Sequence, residues 1–351
     1  MLFVSVAIAG EIMARIDDAV RAGIPILKSP TESDLKMSDS LGTRGRPFAQ
    51  YRKWTLNNAG FRGPEISLMP RSECVRVAVM GASETLGAYE SPEKEYPVQL
   101  ADSLRRRGCY EIINAAVAGM SLTGQIRLWD KWVSRFQPDI VVIYPSPAFY
   151  LSNEAPRFDS HRTAPTARPP RLASRLVDRL RSRIEYPAFI QRRRVAKEIA
   201  DARNGKPARW FYRQVPDERL ALFREHLDSL ISSVRARGAM PVLITHAMRF
   251  GVSLKGEDRD LLRSWVRFSP RATEEVLLAF ELESAAMERD LAKTRGVPLV
   301  DAAAIMTGRT EWFGDAVHFT DEGSSVMAGS IALVIEGLSV DRVAGRSTAA
   351  R

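Results

Sequence analysis

The stretch VRVAVMGASETLG, residues 75–87, joins a short apolar run to a turn of small residues. The run Val75–Met80 is rich in valine and lacks the polar alternation of a half-exposed strand, as expected of a strand covered on both faces. Four further apolar runs follow it along the chain, at residues 111–115, 140–144, 241–245 and 297–301. Together they predict the five parallel strands of one buried sheet.

Helical patterns separate these runs, at residues 92–107, 122–136, 217–237 and 273–295, and a last one at 321–338 closes the pattern. Alternation of strand and helix indicates a doubly wound α/β fold, and right-handed crossovers place helices on both faces of its sheet. We therefore predict a three-layer α/β/α architecture with a five-stranded parallel sheet of the flavodoxin-like type. Two stretches interrupt the alternation, at about 151–216 and 249–271, and are interpreted as helical insertions that can form lids.

The positive charge of the chain is concentrated in the first insertion. The 351 residues carry a net charge of +9, which by itself would favour a nucleic-acid partner. Residues 155–215 contain 14 Arg and 2 Lys against 3 Asp and 2 Glu, so this segment carries 16 − 5 = +11 and the rest of the chain 9 − 11 = −2. The hydrophobic fraction of 45% excludes a disordered chain, a collagen and a multi-span membrane protein.

Leucines and isoleucine recur every four residues in this segment, between arginines, and predict a basic amphipathic helix at residues 171–184. Such a helix can lie on an anionic membrane surface or meet an acidic polysaccharide. The alternative is a helix packed on the main domain with a solvated arginine face. Nucleic acid is not expected as a partner, because aromatic residues are not interleaved as a stacking platform.

The first ten residues, MLFVSVAIAG, are apolar but shorter than the roughly 20 residues of a spanning helix. They fit either the first turns of a helix continuing through Ile12, Ile16 and Val20, or the tail of a membrane anchor whose start precedes this chain. The two cysteines, Cys74 and Cys109, each precede a predicted strand. A disulfide between adjacent strands is geometrically allowed, but two unpaired thiols are the favoured reading.

Two motifs carry residue types used in nucleophilic catalysis. Ser83 follows the first strand in GASETLG, residues 81–87, at the sheet edge where open α/β sheets bind ligands. Asp315 and His318 stand three residues apart just before the last helical pattern. In a turn, this spacing lets the carboxylate reach Nδ1 of the imidazole, which leaves Nε2 to face a serine. The chain lacks HExxH and CxxC motifs, and no metal or cofactor is expected.

These motifs, taken together with Gly119 after the second strand, resemble the SGNH (GDSL-like) hydrolase family. Ser83 matches the family's first block, Gly119 its second, and Asp315 with His318 its last block, Asp-x-x-His. The resemblance implies a hydrolase domain over residues 71–345, with residues 1–70 as an N-terminal extension.

The resemblance also implies the roles of the matching residues. Ser83 would be the nucleophile, His318 its general base and Asp315 the group that orients the imidazole. The backbone N–H groups of Ser83 and Gly119 would form the oxyanion hole. The family's third block supplies an asparagine, but this chain has YPSPAFY at residues 144–150, so Ser146 is the candidate for a third donor.

Two further residues are candidate substrate contacts. His246 ends the fourth predicted strand at the ligand edge, and Arg62 lies in GFRGP, which resembles a segment ahead of the first strand in some bacterial members of the family. Glu84 and Tyr89 are expected to be structural. The predicted function is hydrolysis of acyl or O-acetyl esters on a carbohydrate or lipid. An O-acyltransferase, or a non-catalytic carbohydrate-binding relative in polysaccharide assembly, is the alternative. The sequence leaves extracytoplasmic, membrane-associated and cytoplasmic locations open.

Overall fold

The structure is a computed structural model that describes residues 2–22, 26–27, 32–152, 174–177, 179, 188–251, 254 and 256–349. Two antiparallel hairpins precede the central sheet and are formed by β1 (Lys36–Asp39), β2 (Gly42–Gly45), β3 (Gln50–Tyr51) and β4 (Trp54–Thr55). The central sheet follows, formed by β5 (Val75–Met80), β6 (Tyr110–Asn114), β7 (Ile140–Ile143), β8 (Met240–Ile244) and β9 (Leu299–Val300).

All neighbouring strands of this sheet are parallel, in the order β6-β5-β7-β8-β9. The order changes direction beside β5, which pairs with β6 on one side and β7 on the other. This is a topological switch point, where open α/β sheets form their ligand crevice. The predicted five-stranded parallel sheet is confirmed, and the turn after β5 lies at that crevice.

Ten helices lie in the part of the chain that the structure describes. They are α1 (Leu2–Ala22), α2 (Ser83–Leu86), α3 (Tyr96–Arg105), α4 (Leu122–Lys131), α5 (Ala188–Arg203), α6 (Asp217–Ala236), α7 (Gly256–Val266), α8 (Glu274–Arg295), α9 (Ala302–Met306) and α10 (Asp321–Ala349).

Alternate residues of β5 face two separate apolar layers. Val77 and Val79 pack in the layer that contains α3 and α10, whereas Ala78 and Met80 pack in the layer that contains α4, α6 and α8. All four side chains are fully buried. Full burial of a valine or methionine stabilises a fold by about 1.5–3 kcal/mol. The apolar composition of this strand therefore follows from its position between two helical layers, as predicted.

Several predicted elements have different ends in the structure, and two of them have a clear physical reason. The strand predicted at 297–301 is only Leu299–Val300, because β9 is the edge strand and pairs with β8 alone. The helix predicted at 122–136 ends at Lys131, and a 3₁₀ turn continues over Val133–Phe136. Gln137 then adopts a left-handed conformation, with φ of 49°, which turns the chain into β7.

The segment between the hairpins and β5 packs on the main sheet. The Arg62 N–H donates to the Asn114 carbonyl at 3.1 Å, which attaches residues 57–64 to the end of β6. Phe61 is buried in the same apolar layer as α4 and meets Phe136 edge-to-face at 5.0 Å between ring centroids. The division into an extension over residues 1–70 and a domain over 71–345 stays a prediction.

Cys74 and Cys109 form a disulfide, with Cα atoms 4.5 Å apart. The favoured reading of two unpaired thiols is therefore wrong. The backbone explains the pairing, because β5 and β6 are neighbours in register and the Val75 N–H donates to the Cys109 carbonyl at 2.9 Å. Disulfides of this kind persist in oxidising compartments.

The N-terminal helix α1 presents its apolar residues outward. The helix runs through Ile12, Ile16 and Val20, as one of the two interpretations expected, and these three side chains are exposed. Among the described residues, no helix combines the length and apolar character needed to cross a bilayer.

Part of the basic segment contacts α1. Arg175 pairs with Asp18 at 2.9 Å and Arg179 pairs with Asp17 at 2.8 Å, so these two cations face acids of the same chain. Most of the basic helix predicted at 171–184 lies outside the described residues. Its binding to an anionic membrane stays a prediction.

Candidate active site

Ser83 is placed by the turn that follows β5. It is the first residue of α2, and the first N–H groups of a helix have no partner within that helix. Gly81 permits this turn, because a Cβ there would lie 2.0 Å from Oγ1 of Thr85. Gly87 ends α2 with φ of 83°, a left-handed conformation that favours glycine. The small residues of the motif are therefore required by the close packing around Ser83.

Ser83, Asp315 and His318 meet at this turn, although Ser83 and His318 are 235 positions apart in the chain. Nε2 of His318 lies 2.8 Å from Oγ of Ser83, and Nδ1 of the same ring lies 2.8 Å from Oδ2 of Asp315. Oδ1 of Asp315 also accepts the backbone N–H groups of Val317 and His318, at 3.0 and 2.9 Å. The carboxylate is thus held from three sides, and it in turn holds the ring that faces the serine.

Burial and hydrogen bonds act in opposite directions on this pair. Burial opposes the charged form of Asp315, but the hydrogen bonds from His318 and the backbone outweigh it and hold the carboxyl pKa below its ordinary value. Burial also opposes the imidazolium of His318, but the Asp315 hydrogen bond and the charge of Glu84 outweigh it and raise the His318 pKa. The arrangement therefore makes His318 a stronger base than a free histidine.

Gly119 and Ser146 border the same cavity as Ser83. Gly119, in the loop that follows β6, has φ of 69°, a left-handed conformation at which the chain turns sharply. The Ser146 hydroxyl donates to Oε1 of Glu84 at 2.9 Å and is buried. Its proton is therefore committed to a carboxylate, and the predicted role of this hydroxyl as a third oxyanion donor does not fit the structure.

Arg62 does not reach the cavity, contrary to the prediction of a substrate contact. Its side chain is 5% exposed and pairs with Glu95 at 2.6 Å. It also donates to the carbonyls of Leu86 and Gly87, the residues that end α2. Burial lowers the Arg62 pKa, and the charge of Glu95 opposes that change. Arg62 therefore fastens the end of the helix that carries Ser83.

His246 borders the cavity, but its side chain is only 1% exposed. Nδ1 lies 2.6 Å from Oε2 of Glu281, and the ring stacks on Tyr144 at 5.3 Å between centroids. A substrate contact through this ring does not fit such burial. Sequence patterns missed the carboxylates around it, because Glu281 and Glu288 lie on the otherwise ordinary helix α8.

Glu84 was expected to be structural, yet its carboxylate contacts the Ser83 hydroxyl. Oε2 of Glu84 accepts from Oγ of Ser83 at 3.4 Å, a long hydrogen bond. The position directly after Ser83 is the only sequence signal that could have drawn attention to it. Among the described residues, no group of three or more His, Cys, Asp or Glu side chains is placed to hold a metal ion.

A cavity of about 930 Å³ opens onto Ser83. The two inserted helices supply much of its wall, with Ile190 and Val195 from α5 and Leu261 and Trp265 from α7. Arg192 of α5 pairs with Asp260 of α7 at 2.7 Å, so the two insertions are joined beside the cavity. The site can therefore enclose an apolar group next to the Ser83 hydroxyl.

No protein-family model matches the chain, and no curated protein matches it. Several solved structures are similar to it. A lipolytic protein of the G-D-S-L family from Desulfitobacterium hafniense is 14% identical, with a TM-score of 0.40 over 74% of this chain and 99% of that one. The lipase/acylhydrolase from Enterococcus faecalis is 15% identical, with a TM-score of 0.44 over 75% of this chain and 96% of that one. An acetylxylan esterase from Geobacillus stearothermophilus is 13% identical, with a TM-score of 0.44 over 75% and 94%.

Proposed function

We propose that this chain is a serine esterase of the SGNH type, which hydrolyses acyl or O-acetyl esters of a carbohydrate or lipid through an acyl-enzyme on Ser83. One observation carries the proposal. Ser83, His318 and Asp315 form a continuous hydrogen-bonded chain, with both joining distances at 2.8 Å, at the mouth of a large cavity. A serine hydroxyl is a poor nucleophile until an adjacent imidazole takes its proton, and this geometry supplies that base.

The proposed reaction has two steps. Oγ of Ser83 attacks the ester carbonyl while Nε2 of His318 takes its proton, and the imidazolium then gives that proton to the leaving alcohol. Water, deprotonated by the same nitrogen, attacks the acyl-enzyme. The bond between the acyl carbon and Oγ of Ser83 then breaks, and the imidazolium returns its proton to Oγ as the acid leaves. Asp315 keeps the proton of the neutral ring on Nδ1, so that Nε2 is free to accept.

The tetrahedral intermediates place a negative charge on the former carbonyl oxygen. The backbone N–H groups of Ser83 and Gly119 are the proposed donors to that oxygen, and each such donor is worth about 10²–10³ in rate. Since the Ser146 hydroxyl is held by Glu84, the site would operate with these two backbone donors.

The composition of the cavity supports an acyl ester with an apolar part. Aromatic side chains of Phe149, Trp265 and Phe268 border it, together with the aliphatic residues of α5. Two cations, Arg194 and Arg267, also border it and could meet polar groups of a sugar or a head group.

The proposal is tested by turnover of p-nitrophenyl acetate and p-nitrophenyl octanoate by the wild type and by Ser83→Ala. We expect Ser83→Ala to remove at least about 10³ of the rate, because the acyl-enzyme cannot form. Ser264→Ala is the matched control, since Ser264 is a serine of α7 that borders the same cavity. Equal turnover by Ser83→Ala and the wild type would contradict the mechanism.

Transfer of the acyl group to a sugar is the alternative outcome of the same acyl-enzyme. Addition of a sugar acceptor to the assay, with mass analysis of the products, separates the two. An acylated sugar formed in place of free acid identifies a transferase, and free acid in its presence identifies a hydrolase.

A further inference from the structure

A second set of ionisable groups, almost completely buried, lies next to the Ser83 turn. It consists of Glu84 on α2, His246 after β8, and Glu281 and Glu288 on α8. The side chains of Glu84, His246 and Glu281 are 5%, 1% and 1% exposed. Charged groups are rarely buried to this degree unless they are paired. We call these four residues the buried array.

The buried array forms a continuous path from α8 to the nucleophile. Nδ1 of His246 lies 2.6 Å from Glu281, and its Nε2 lies 3.6 Å from Oε1 of Glu84, a distance at which the interaction is ionic rather than a hydrogen bond. Glu84 accepts from the hydroxyls of both Ser83 and Ser146. One carboxylate therefore contacts the nucleophile, the neighbouring loop and the buried imidazole.

The charges of the buried array follow from its surroundings. Burial would raise the Glu84 pKa, but His246 and His318 beside it outweigh burial and lower that pKa to about 2. Burial would lower the His246 pKa, but Glu281 and Glu84 outweigh it and raise that pKa to about 10. Burial raises the Glu288 pKa well above its ordinary value, against the nearby charge of His246, which lowers it. Two carboxylates, Glu281 and Glu84, therefore flank the His246 imidazole.

We propose that Glu84 is a positioning residue for the esterase reaction, whose negative charge, held in place by His246 and Glu281, maintains the basicity of His318 and offers the Ser83 hydroxyl a second acceptor. This inference rests on the proposed function of the site. The hydroxyl of Ser83 has one proton, which it donates to His318 when that ring is neutral. When the ring is an imidazolium, Nε2 becomes a donor and the Ser83 proton turns to Glu84.

Several charged groups face His318 besides Glu84. Asp315 binds Nδ1 directly, and Glu90, from the loop after α2, acts at longer range. The Tyr89 ring lies 5.8 Å from the imidazole between centroids, and Arg267 borders the same cavity. Of these groups, Glu84 is the one that accepts a hydrogen bond from the Ser83 hydroxyl.

The test measures the protonation of His318 directly by NMR titration of its imidazole, assigned with His318→Gln, in the wild type and in Glu84→Gln. Loss of a charge at this range is expected to lower the His318 pKa by about one unit or more. The acid limb of the kcat/KM profile should move to lower pH by the same amount. Glu283→Gln is the matched control, since Glu283 is an exposed residue two positions from Glu281 on α8, and it should move neither quantity.

An unchanged His318 pKa in folded Glu84→Gln would overturn the proposal, and would show that Glu84 only packs the turn. If Glu84→Gln does not fold, Glu281→Gln replaces it. That variant leaves Glu84 and His246 to neutralise each other, so the His318 pKa should fall by a smaller amount, and no change there also overturns the proposal. The NMR readout needs no turnover, so failure of the esterase assay is distinguished from failure of this inference.

Discussion

Two histidine–carboxylate pairs approach the same Ser83-Glu84 dipeptide from different sides. In one pair, His318 binds Asp315 at 2.8 Å with side chains 19% and 25% exposed. In the other, His246 binds Glu281 at 2.6 Å with both side chains 1% exposed. Both use Nδ1 for the carboxylate and direct Nε2 toward the dipeptide, the first to the Ser83 hydroxyl and the second to the Glu84 carboxylate.

Exposure and the identity of the third group decide what each pair can do. His318 faces a neutral hydroxyl and a cavity, so its proton can pass to a substrate and return. His246 lies between two carboxylates, and its pKa of about 10 keeps it charged at neutral pH. An imidazolium cannot accept a proton, so the buried pair can act on the reaction only through its electric field and its contacts. The same two side-chain types thus give a base in one place and a fixed counter-ion in the other.

The largest expected effect is a loss of activity on breaking the partly exposed pair of His318 and Asp315 with Asp315→Asn. The amide would hold the imidazole in the wrong tautomer, and kcat should fall by about 10⁴ while the fold is kept. Hydrolysis of p-nitrophenyl acetate measures this loss. Asp102→Asn, a change at a surface residue on α3, is the control and should retain full activity. A loss of less than tenfold in Asp315→Asn would show that the pair does not act as a catalytic unit.

Breaking the buried pair of His246 and Glu281 should lower stability more than breaking the partly exposed pair of His318 and Asp315. His246→Gln leaves Glu84 and Glu281 buried without their cation, which is expected to lower the free energy of unfolding by about 3–5 kcal/mol. His318→Gln leaves a partly exposed aspartate and should lower it by no more than about 1 kcal/mol. Urea denaturation of both variants gives the comparison. Similar losses of unfolding free energy in His246→Gln and His318→Gln would contradict an energetic effect of the difference in burial between the two pairs.

The smallest effect is a difference in the pH dependence of stability. The pKa of His246 is raised from 6.5 to about 10, so its contribution is complete below pH 6.5 and is lost as the pH rises toward 10. The pKa of Glu84 is lowered from 4.5 to about 2, so its contribution is complete above pH 4.5 and is lost as the pH falls toward 2. The urea midpoint of the wild type should therefore decline between pH 7 and pH 10.

The fall of the urea midpoint between pH 7 and pH 10 should be weaker in His246→Gln than in the wild type. In His318→Gln it should be retained. The ordinary value of 6.5 applies to both histidines when unfolded, and folding raises the pKa of both, that of His246 to about 10. Alkaline slopes that are equal in His246→Gln and the wild type would show that the buried ring is neutral.

Much of the fold and the exposed pair could be predicted from local pattern. The run Val75–Met80 predicts a strand buried on both faces, since apolar residues on both sides of a strand have no other stable place. The three-residue spacing of Asp315 and His318 predicts their contact, because it is made within one turn. Their meeting with Ser83 was inferred from the resemblance of the motifs to a family, and it depends on β5 lying inside the sheet, between β6 and β7.

Contacts between residues that lie far apart in the sequence could not be predicted from local pattern. Arg62 was expected near the substrate, but the structure buries it behind α2, because its pairing with Glu95 is a contact between segments. Ser146 and His246 follow strands at the ligand edge, as predicted, but each is held by a glutamate that no pattern connects to it. From the sequence alone, a side chain at the end of a strand that faces the substrate cannot be told from one that is buried.

The sequence by itself determined the periodicity of the elements, the apolar strands and the spacing of Asp315 and His318, because these properties depend on residues that are neighbours in the chain. Only the tertiary structure decided the disulfide between Cys74 and Cys109, the cavity wall formed by two insertions, and the buried array beside Ser83. Burial and electrostatic interaction depend on distance in space, so the charge of a histidine such as His246 is set by side chains that lie far from it in the chain.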